Sequence, residues 1–437
     1  MLKAKVLEVF RKTNNVIYGY RLQDESGNIK DVTPEQLKNA IRGGLIHLND
    51  YKLTSDNRLV KNKNELNTFN PIDTDKYLIM NKDNAVAEFD LYWKTIEIYG
   101  KMPYSYTTLD AWLKERAKFS CAHDVKEFFK TIGIEKTADM IDVTHCVSLH
   151  DSFWVKRTDS TLTWKNVSPF RNDYSKVIST YALEGVYIGK DDKNYFSPVV
   201  GTDGSFPHTW KYSPYGITFI KAGSKYTVGG GNSGREPFSE YYASVISDYL
   251  GFNHVRYTIR NHVRHDKKID VVTECKCFTS EDIGTVTAYS LGLKTYEDVI
   301  EYCKKLSVNA YDTIIDMLFL DCLLLNTDRH FSNIEFFIDN DTLEVKDIAP
   351  IFDNNYSFLP RFIEGYDTFT RKDYVARDDR SFEDLYKLVK KHKTFKKELI
   401  KLKNLKLTKP ENVEISDTRI AFLNNFLQCQ VNYLLQM

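Results

Sequence analysis

The sequence lacks an excess of charge of either sign: its 437 residues carry 60 Lys and Arg against 60 Asp and Glu. No global field draws it to nucleic acid or to an anionic membrane, so neither partner is expected. Long apolar runs are missing as well. The opening MLKAKVLEVF is too short for a secretion signal, and no window approaches the roughly 18 apolar residues of a membrane span. Cysteine is scarce. Seven are scattered along the chain with only Cys275 and Cys277 close together, which excludes a disulfide scaffold and fits a reducing cytoplasm. His145, Cys146, His150 and Asp151 cluster in the sequence but match no standard zinc spacing, and they read as structural, as do His262 and His265. The aromatics Phe153, Trp154, Trp164 and Phe170 have few Arg or Lys between them, which speaks for a packed core rather than base stacking.

What is present fits a globular chain of two or three domains, with 42% hydrophobic residues to build cores. Residues 1–84 read as a small α+β accessory module. Val16, Tyr18, Tyr20 and Leu22 alternate as in a strand, and Thr33-Pro34-Glu35-Gln36 is a capped helix start. IHLNDYKLTSDNRLV then reads as a return hairpin. Residues 85–183 form a bridging segment, beginning with a helical stripe of Val86, Phe89, Trp93 and Ile96. A second helix begins near Thr107 and Asp110, HDVKEFFKTIGI suggests a third, and a β-like stretch follows.

Chemistry begins near Tyr195. Gly201, Thr202, Gly204 and Ser205 make a turn between two extended runs, where glycine lets backbone N–H groups approach a phosphate. Lys221 follows on the strand GITFIKAG, where a nucleotide kinase places its phosphate-contacting lysine. VGGGNSGREP is richer in glycine but lacks the Gly-Lys-Ser/Thr ending of a P-loop, and reads as a connector. Glu240, early in the helix FSEYYASVISDYLGF, can pair with Lys221; otherwise it is a solvent-facing acid at a helix start. DVVTECKCF reads as an apolar strand, and backbone groups from Glu274 to Cys277 can bind adenine.

The organising stretch is LLLNTDRHFSNIEFF, after the helix YDTIIDMLFLDCLLL and before DIAPIFDNN. Asp328, His330 and Asn333 fall within six residues, with Asp353 twenty residues further on. An Asp that takes a hydroxyl proton, and an Asn and a second Asp that hold Mg²⁺, suit phosphoryl transfer. A polar loop at a helix end, with Asp and Asn as capping residues, is the alternative. Beyond Asp353 the chain turns helical and basic, in SFEDLYKLVKKHKTFKKELIKLKNLKL, with a last helix over SDTRIAFLNNFLQCQVNYLLQM.

From about Tyr195 to its end the chain resembles the HipA-like serine/threonine kinases, a branch near the phosphatidylinositol kinases. NTDRHFSN is similar to the family's catalytic loop, APIFDNN to its metal segment, FIKAG to its lysine strand and SEYYASVISDYLGF to its Glu-bearing helix. The first residues do not look like the N-terminal subdomain of the toxin that names the family, so residues 1–183 take no role from the resemblance.

That resemblance implies an α+β, bilobal protein-kinase-like fold, with a small lobe over 184–277 and a mostly helical large lobe over 278–437. It implies ATP and Mg²⁺ as cofactors and transfer of phosphate to Ser or Thr of a protein substrate. Asp328 is then the catalytic base, Asn333 and Asp353 the metal ligands, and Lys221, positioned by Glu240, a phosphate contact. His330 holds the loop. In some members growth arrest is opposed by a helix-turn-helix antitoxin, and a Ser in the glycine turn (here Ser205, otherwise Thr202) autophosphorylates. A phosphatidylinositol-type lipid kinase and a nucleotide-binding pseudokinase scaffold are the alternatives.

Overall fold

The computed structural model of the chain describes residues 2–11, 17–24, 29–42, 46–48, 51–53, 59–61, 76–90, 95–116, 128, 137–189, 196–202, 204–224, 234–365 and 367–437. It divides into two units, Met1–Thr74 and Asp75–Met437.

In the first unit, β1 (Leu2–Arg11), β2 (Ile17–Asp24), β3 (Ile29–Val32) and β4 (Ile46–Leu48) form a sheet in the order β3-β2-β1-β4. Its pairs are antiparallel except β1 with β4, which is parallel and therefore needs a crossover. Helix α1 (Pro34–Arg42) lies in that connection. It starts as the sequence indicates: Gln36 N donates to Thr33 Oγ1 at 3.3 Å and Thr33 N to Gln36 Oε1 at 2.9 Å. Tyr20, Leu22 and Leu37 are buried. β5 (Tyr51–Leu53) and β6 (Leu59–Lys61) make the expected antiparallel hairpin.

The second unit opens with β7 (Lys76–Asn81), β8 (Asn84–Asp90) and β9 (Thr95–Ile98), which are joined by β10 (Phe153–Arg157) in the order β10-β7-β8-β9. Val86 and Phe89 thus lie on a strand and not on the helix expected there. The three-residue spacing that mimicked a helix comes from bulged pairing: the register shifts between Ile79 and Met80 and again between Glu88 and Phe89. Lys82, with φ of 49°, turns the chain between β7 and β8. The expected boundary at 84/85 therefore falls within this sheet. Helices α2 (Leu109–Arg116), α3 (Thr137–Thr144), α4 (Trp164–Val167) and α5 (Lys176–Glu184) complete this part. Of the third expected helix, only Phe128 lies among the described residues.

Next comes an antiparallel sheet of β11 (His208–Lys211), β12 (Thr218–Ala222), β13 (Thr258–Val263) and β14 (Ile269–Lys276), in the order β11-β12-β14-β13. Helix α6 (Glu236–Leu250) runs between β12 and β13 in the chain and ends at Gly251, whose φ of 79° is that of a left-handed cap. Leu183 of α5 packs with Ile220, Ala222 and Val272 of this sheet, so the expected 183/184 boundary cuts a shared core.

The remainder is mostly helical. A three-stranded antiparallel sheet of β15 (Ile283–Thr287), β16 (Glu335–Asp339) and β17 (Val345–Ile348) accompanies α7 (Tyr296–Leu306), α8 (Val308–Leu324), α9 (Phe382–Lys390), α10 (Lys396–Leu402) and α11 (Asp417–Gln436). Helix α8 is apolar almost all round and every residue from Thr313 to Leu324 is buried, as a central helix requires. Tyr77, Phe89, Trp112 and Phe153 belong to the same continuous core as this helix. The early sheet is also tied on by polar contacts: Asn81 Nδ2 donates to Asn340 O at 2.9 Å and Tyr104 Oη to Leu343 O at 2.8 Å. At Gly284 a Cβ would come within 2.4 Å of the His150 carbonyl oxygen, so only glycine permits that approach. Among the described residues no helix is long and apolar enough to cross a membrane.

Candidate active site

Strand β12 carries Lys221 one residue from its end, paired through its backbone with His208 on one side and Thr273 on the other. The side chain is buried, so the ammonium needs partners to remain charged. It has two. Nζ donates to Glu240 Oε1 of α6 at 3.0 Å and to Asp353 Oδ1 at 2.7 Å. Burial alone lowers the Lys221 pKa, but the two carboxylates outweigh it and hold the group above the ordinary lysine value. Glu240 is the deeper partner. Burial pushes its carboxyl up while Lys221 and a 2.9 Å hydrogen bond from Thr273 Oγ1 pull it back. Asp353 is also opposed by burial, yet the charge of Lys221 brings it below the ordinary carboxylate value. The ammonium thus favours Asp353 as its ionised partner.

Asp353 has a φ of 54°, a left-handed conformation uncommon for a residue with a side chain. The residues on either side of it are held by Arg329, 1% exposed. Its guanidinium donates to Asp321 Oδ2 at 3.0 Å, to the carbonyls of Asn333 (3.0 Å) and Phe352 (2.6 Å), and to Asn354 Oδ1 at 2.8 Å. One buried side chain therefore fixes the loop after α8 and the loop after β17 together. Asp321 is the anion that keeps it charged, and Asn326 Nδ2 supports that carboxylate at 2.9 Å. Sequence reading did not single out Arg329. The available signal was Asp321 itself, a carboxylate within the apolar run MLFLDCLL of α8.

The loop after α8 begins at Leu325, whose φ of 52° ends the helix. Asn326 Oδ1 accepts from Asp328 N at 3.2 Å, and His330 shapes the turn through its main chain, donating to Asp328 O at 2.9 Å and accepting from Asn333 N at 2.8 Å. Asp328 is partly buried, with 29% of its side chain exposed, and burial raises its pKa above the ordinary value against the pull of His330. Asn333 commits its Nδ2 to Asp328 O at 3.2 Å, which leaves Oδ1 as the acceptor the amide can offer a cation. Lys221, Glu240 and Asp353 are thus in direct contact, as are Asp328 and Asn333, and the Arg329 guanidinium ties the two loops together at the carbonyls of Asn333 and Phe352.

The glycine turn is built differently from its sequence-level role. Gly201 (φ 84°) abuts α2: a Cβ there would stand 2.7 Å from the Arg116 carbonyl oxygen. Thr202 is buried, donating from Oγ1 to Pro198 O at 2.6 Å and accepting from Trp210 Nε1 at 3.1 Å. Both therefore anchor the turn, while Ser205 is exposed. Phe206 closes the turn inward. Lys221 Nζ lies 5.8 Å from its ring centre, and the ring is 5.8 Å from that of Tyr356. On β14, Glu274 sits between Ile220 and Thr258 in the sheet and its carboxylate accepts from Arg260 Nε at 2.7 Å. Cys277 N donates to Ile217 O at 2.9 Å. The Glu274 carboxylate is thus committed to Arg260, while its backbone lies in the ladder beside Ile220 and Thr258.

The fold is α+β: an antiparallel sheet carries a buried lysine paired to a helix glutamate, beside a helical part whose loops present Asp328, Asn333 and Asp353. The chain is similar in structure to HipA in the toxin–antitoxin complex of HipA, HipB and operator DNA from Shewanella oneidensis MR-1. That match has 12% identity, covers 83% of this chain and 99% of that one, and has a TM-score of 0.46. It is also similar to the Helicobacter pylori proinflammatory kinase CtkA, at 18% identity over 52% of this chain and 93% of that one, with a TM-score of 0.36. No protein-family model matches the sequence, and no curated protein does. The expectation of no nucleic-acid partner is not borne out.

Proposed function

We propose that the protein is an ATP- and Mg²⁺-dependent kinase that phosphorylates Ser or Thr of a protein substrate. The observation that carries this reading is the buried Lys221 ammonium shared between Glu240 and Asp353, with Asp328 and Asn333 in the adjoining loop. An ammonium held above its ordinary pKa is a fixed positive charge for phosphate oxygens.

The donor set fits magnesium. Asp353 and the Asn333 amide oxygen are hard ligands, and among the described residues no His, Cys, Asp and Glu cluster forms a complete protein cage. Magnesium favours such partial sites, with phosphates and water completing its shell. When bound, Mg·ATP supplies a γ-phosphoryl group whose charge the ion helps to spread. Lys221 contacts the phosphates, and Glu240 keeps it aimed. Asp328 takes the proton of the acceptor hydroxyl. Backbone groups beyond Cys277, which are free of the β14 ladder, are the better candidates for the base than Glu274. A partner that restrains the kinase, of the kind a toxin–antitoxin pair implies, belongs to the same reading.

The test is incubation of wild type and Asp328→Asn with labelled ATP, Mg²⁺ and cell lysate, followed by phosphosite mapping. Phosphoserine or phosphothreonine formed by wild type alone is expected. Label found only in lipid would establish a lipid kinase, and ATP binding without transfer would leave a scaffold.

A further inference from the structure

The mouth of the Asp328 site carries two arginines that the kinase reading leaves without a task. Arg377 Nη1 stands 3.8 Å from Asp328 Oδ1, and its side chain is 61% exposed. Arg361 lies over the Tyr356 ring at 5.4 Å and donates from Nη2 to Tyr356 Oη at 3.2 Å. Tyr356 in turn stacks near Phe206 of the glycine turn. Burial raises the Tyr356 hydroxyl, Arg361 lowers it, and the Asp328 and Glu236 carboxylates raise it again, so Arg361 and Asp328 act on one group, and Arg377 is tied to them through its contact with Asp328.

Their neighbours are occupied elsewhere. Arg371 is held by Glu383 at 2.8 Å, and Arg380 by Glu297 at 2.8 Å and Asp378 at 3.4 Å. Glu364 is held by Arg235 and Arg419, and Asp367 accepts from Ile363 N. Among the described residues, Arg361 has only a neutral hydroxyl as hydrogen-bond partner and Arg377 only a long contact to the proposed base. A guanidinium with unused donors in a fork is suited to a carboxylate or phosphate.

We propose that Arg377 and Arg361 read an acidic side chain, or a phosphorylated one, beside the acceptor hydroxyl, so that the substrate is an acidic segment of a protein. This rests on the kinase reading. Arg377 now competes for the oxygen of Asp328 that must accept the hydroxyl proton. An acidic residue on the substrate offers Arg377 a better partner and leaves Asp328 to the hydroxyl. A single acidic side chain is favoured over an anionic membrane because residues 361–380 carry no net charge. Arg361, Arg371, Lys372, Arg377 and Arg380 are balanced by Glu364, Asp367, Asp373, Asp378 and Asp379. A surface that seeks anionic lipid is a block of positive charge.

The experiment is a scan of serine peptides carrying Asp, phosphoserine, Ala or Lys at each flanking position, phosphorylated with Mg·ATP by wild type, Arg377→Glu and Arg361→Glu. Wild type should prefer Asp or phosphoserine over Lys at one position or more, by about three- to tenfold in kcat/KM, mainly through KM. Comparing Asp with phosphoserine separates the two sources of negative charge. Each reversal should move the preference toward Lys at the same position, whereas a merely structural role would depress all peptides alike. Equal use of all peptides, a preference that survives both reversals, or transfer only to phosphatidylinositol vesicles overturns the proposal. No transfer to any peptide or lipid by wild type would remove the kinase reading and this inference with it.

Discussion

Lys221 and Asp353 are 132 positions apart in the chain, yet the ammonium of one lies 2.7 Å from the carboxylate of the other. The contact joins the strand sheet to the loop after β17, and its charge state follows from the shifts on each side. Asp353 is held below its ordinary pKa, so its contribution is present above that ordinary value and lost as pH falls through the lowered one. Lys221 is held above its ordinary pKa, so its contribution is lost only as pH rises past the lysine range. The pair is therefore charged throughout neutral pH. Asp353→Ala should weaken Mg·ATP binding by about 10- to 100-fold, measured by calorimetry, while magnesium-free nucleotide binding changes less. Unchanged affinity with Mg²⁺ would remove Asp353 from the metal site.

Asp328→Asn should retain nucleotide binding and lose about two to four orders of magnitude in transfer rate, the range for loss of a general base. Because burial raises the Asp328 pKa, the base takes up its proton earlier as pH falls. The acid limb of kcat/KM should accordingly lie above the ordinary aspartate range. A rate profile that stays flat down to that range, or an Asn variant with full turnover, would take Asp328 out of the mechanism.

Arg329 supports both loops from a position that solvent does not reach. Arg329→Met should cost about 3–5 kcal/mol of stability in urea unfolding, because Asp321 is left buried and unpaired. Arg329→Lys should recover part of the charge but not the hydrogen bonds to Asn333, Phe352 and Asn354. A methionine variant within about 1 kcal/mol of wild type would show that the loops hold themselves.

Ser205 is exposed, whereas the Thr202 hydroxyl is buried and bonded to Pro198 and Trp210. Prolonged incubation with Mg·ATP should therefore modify Ser205 in preference to Thr202, read by mass spectrometry. Ser205→Asp should lower activity, since negative charge beside the Lys221 cluster competes with ATP phosphates. Modification confined to distant sites, or a fully active aspartate variant, would leave the turn a plain clamp.

A fragment spanning 75–437 should fold and bind nucleotide, and one spanning 184–437 should aggregate. The second cuts away Tyr77, Phe89, Trp112 and Phe153 from a continuous core and parts Leu183 from the β12–β14 packing. Cooperative unfolding of the shorter fragment, followed by circular dichroism, would return the boundary to residue 184.

Much of the architecture was legible from short-range rules. The Thr33 cap and the strand alternation of Tyr20 and Leu22 lie where local chemistry sets them. The buried α8 and the loop after it stood out because a uniformly apolar helix followed by Asp, His and Asn is rare in kind. Residues 76–98 were misread because bulges disturbed the two-residue period of the strands. Arg329, Phe206 and the arginines at the mouth were missed for a different reason. Their roles emerge only on folding, which brings Arg329 to Phe352 and Asn354, Phe206 to Tyr356 and Arg377 to Asp328. Gly201 and Thr202 looked like a phosphate cradle because glycine serves close packing and ligand approach equally well.

Arg329 has a kinetic consequence. Loops assembled afresh for each arriving ligand must be searched for and ordered each time. Here the guanidinium joins the carbonyls of Asn333 and Phe352 to the side chains of Asp321 and Asn354 by bonds within the folded chain itself. The conformational entropy of bringing the two loops together is spent once, when the chain folds, and is not charged again at each encounter.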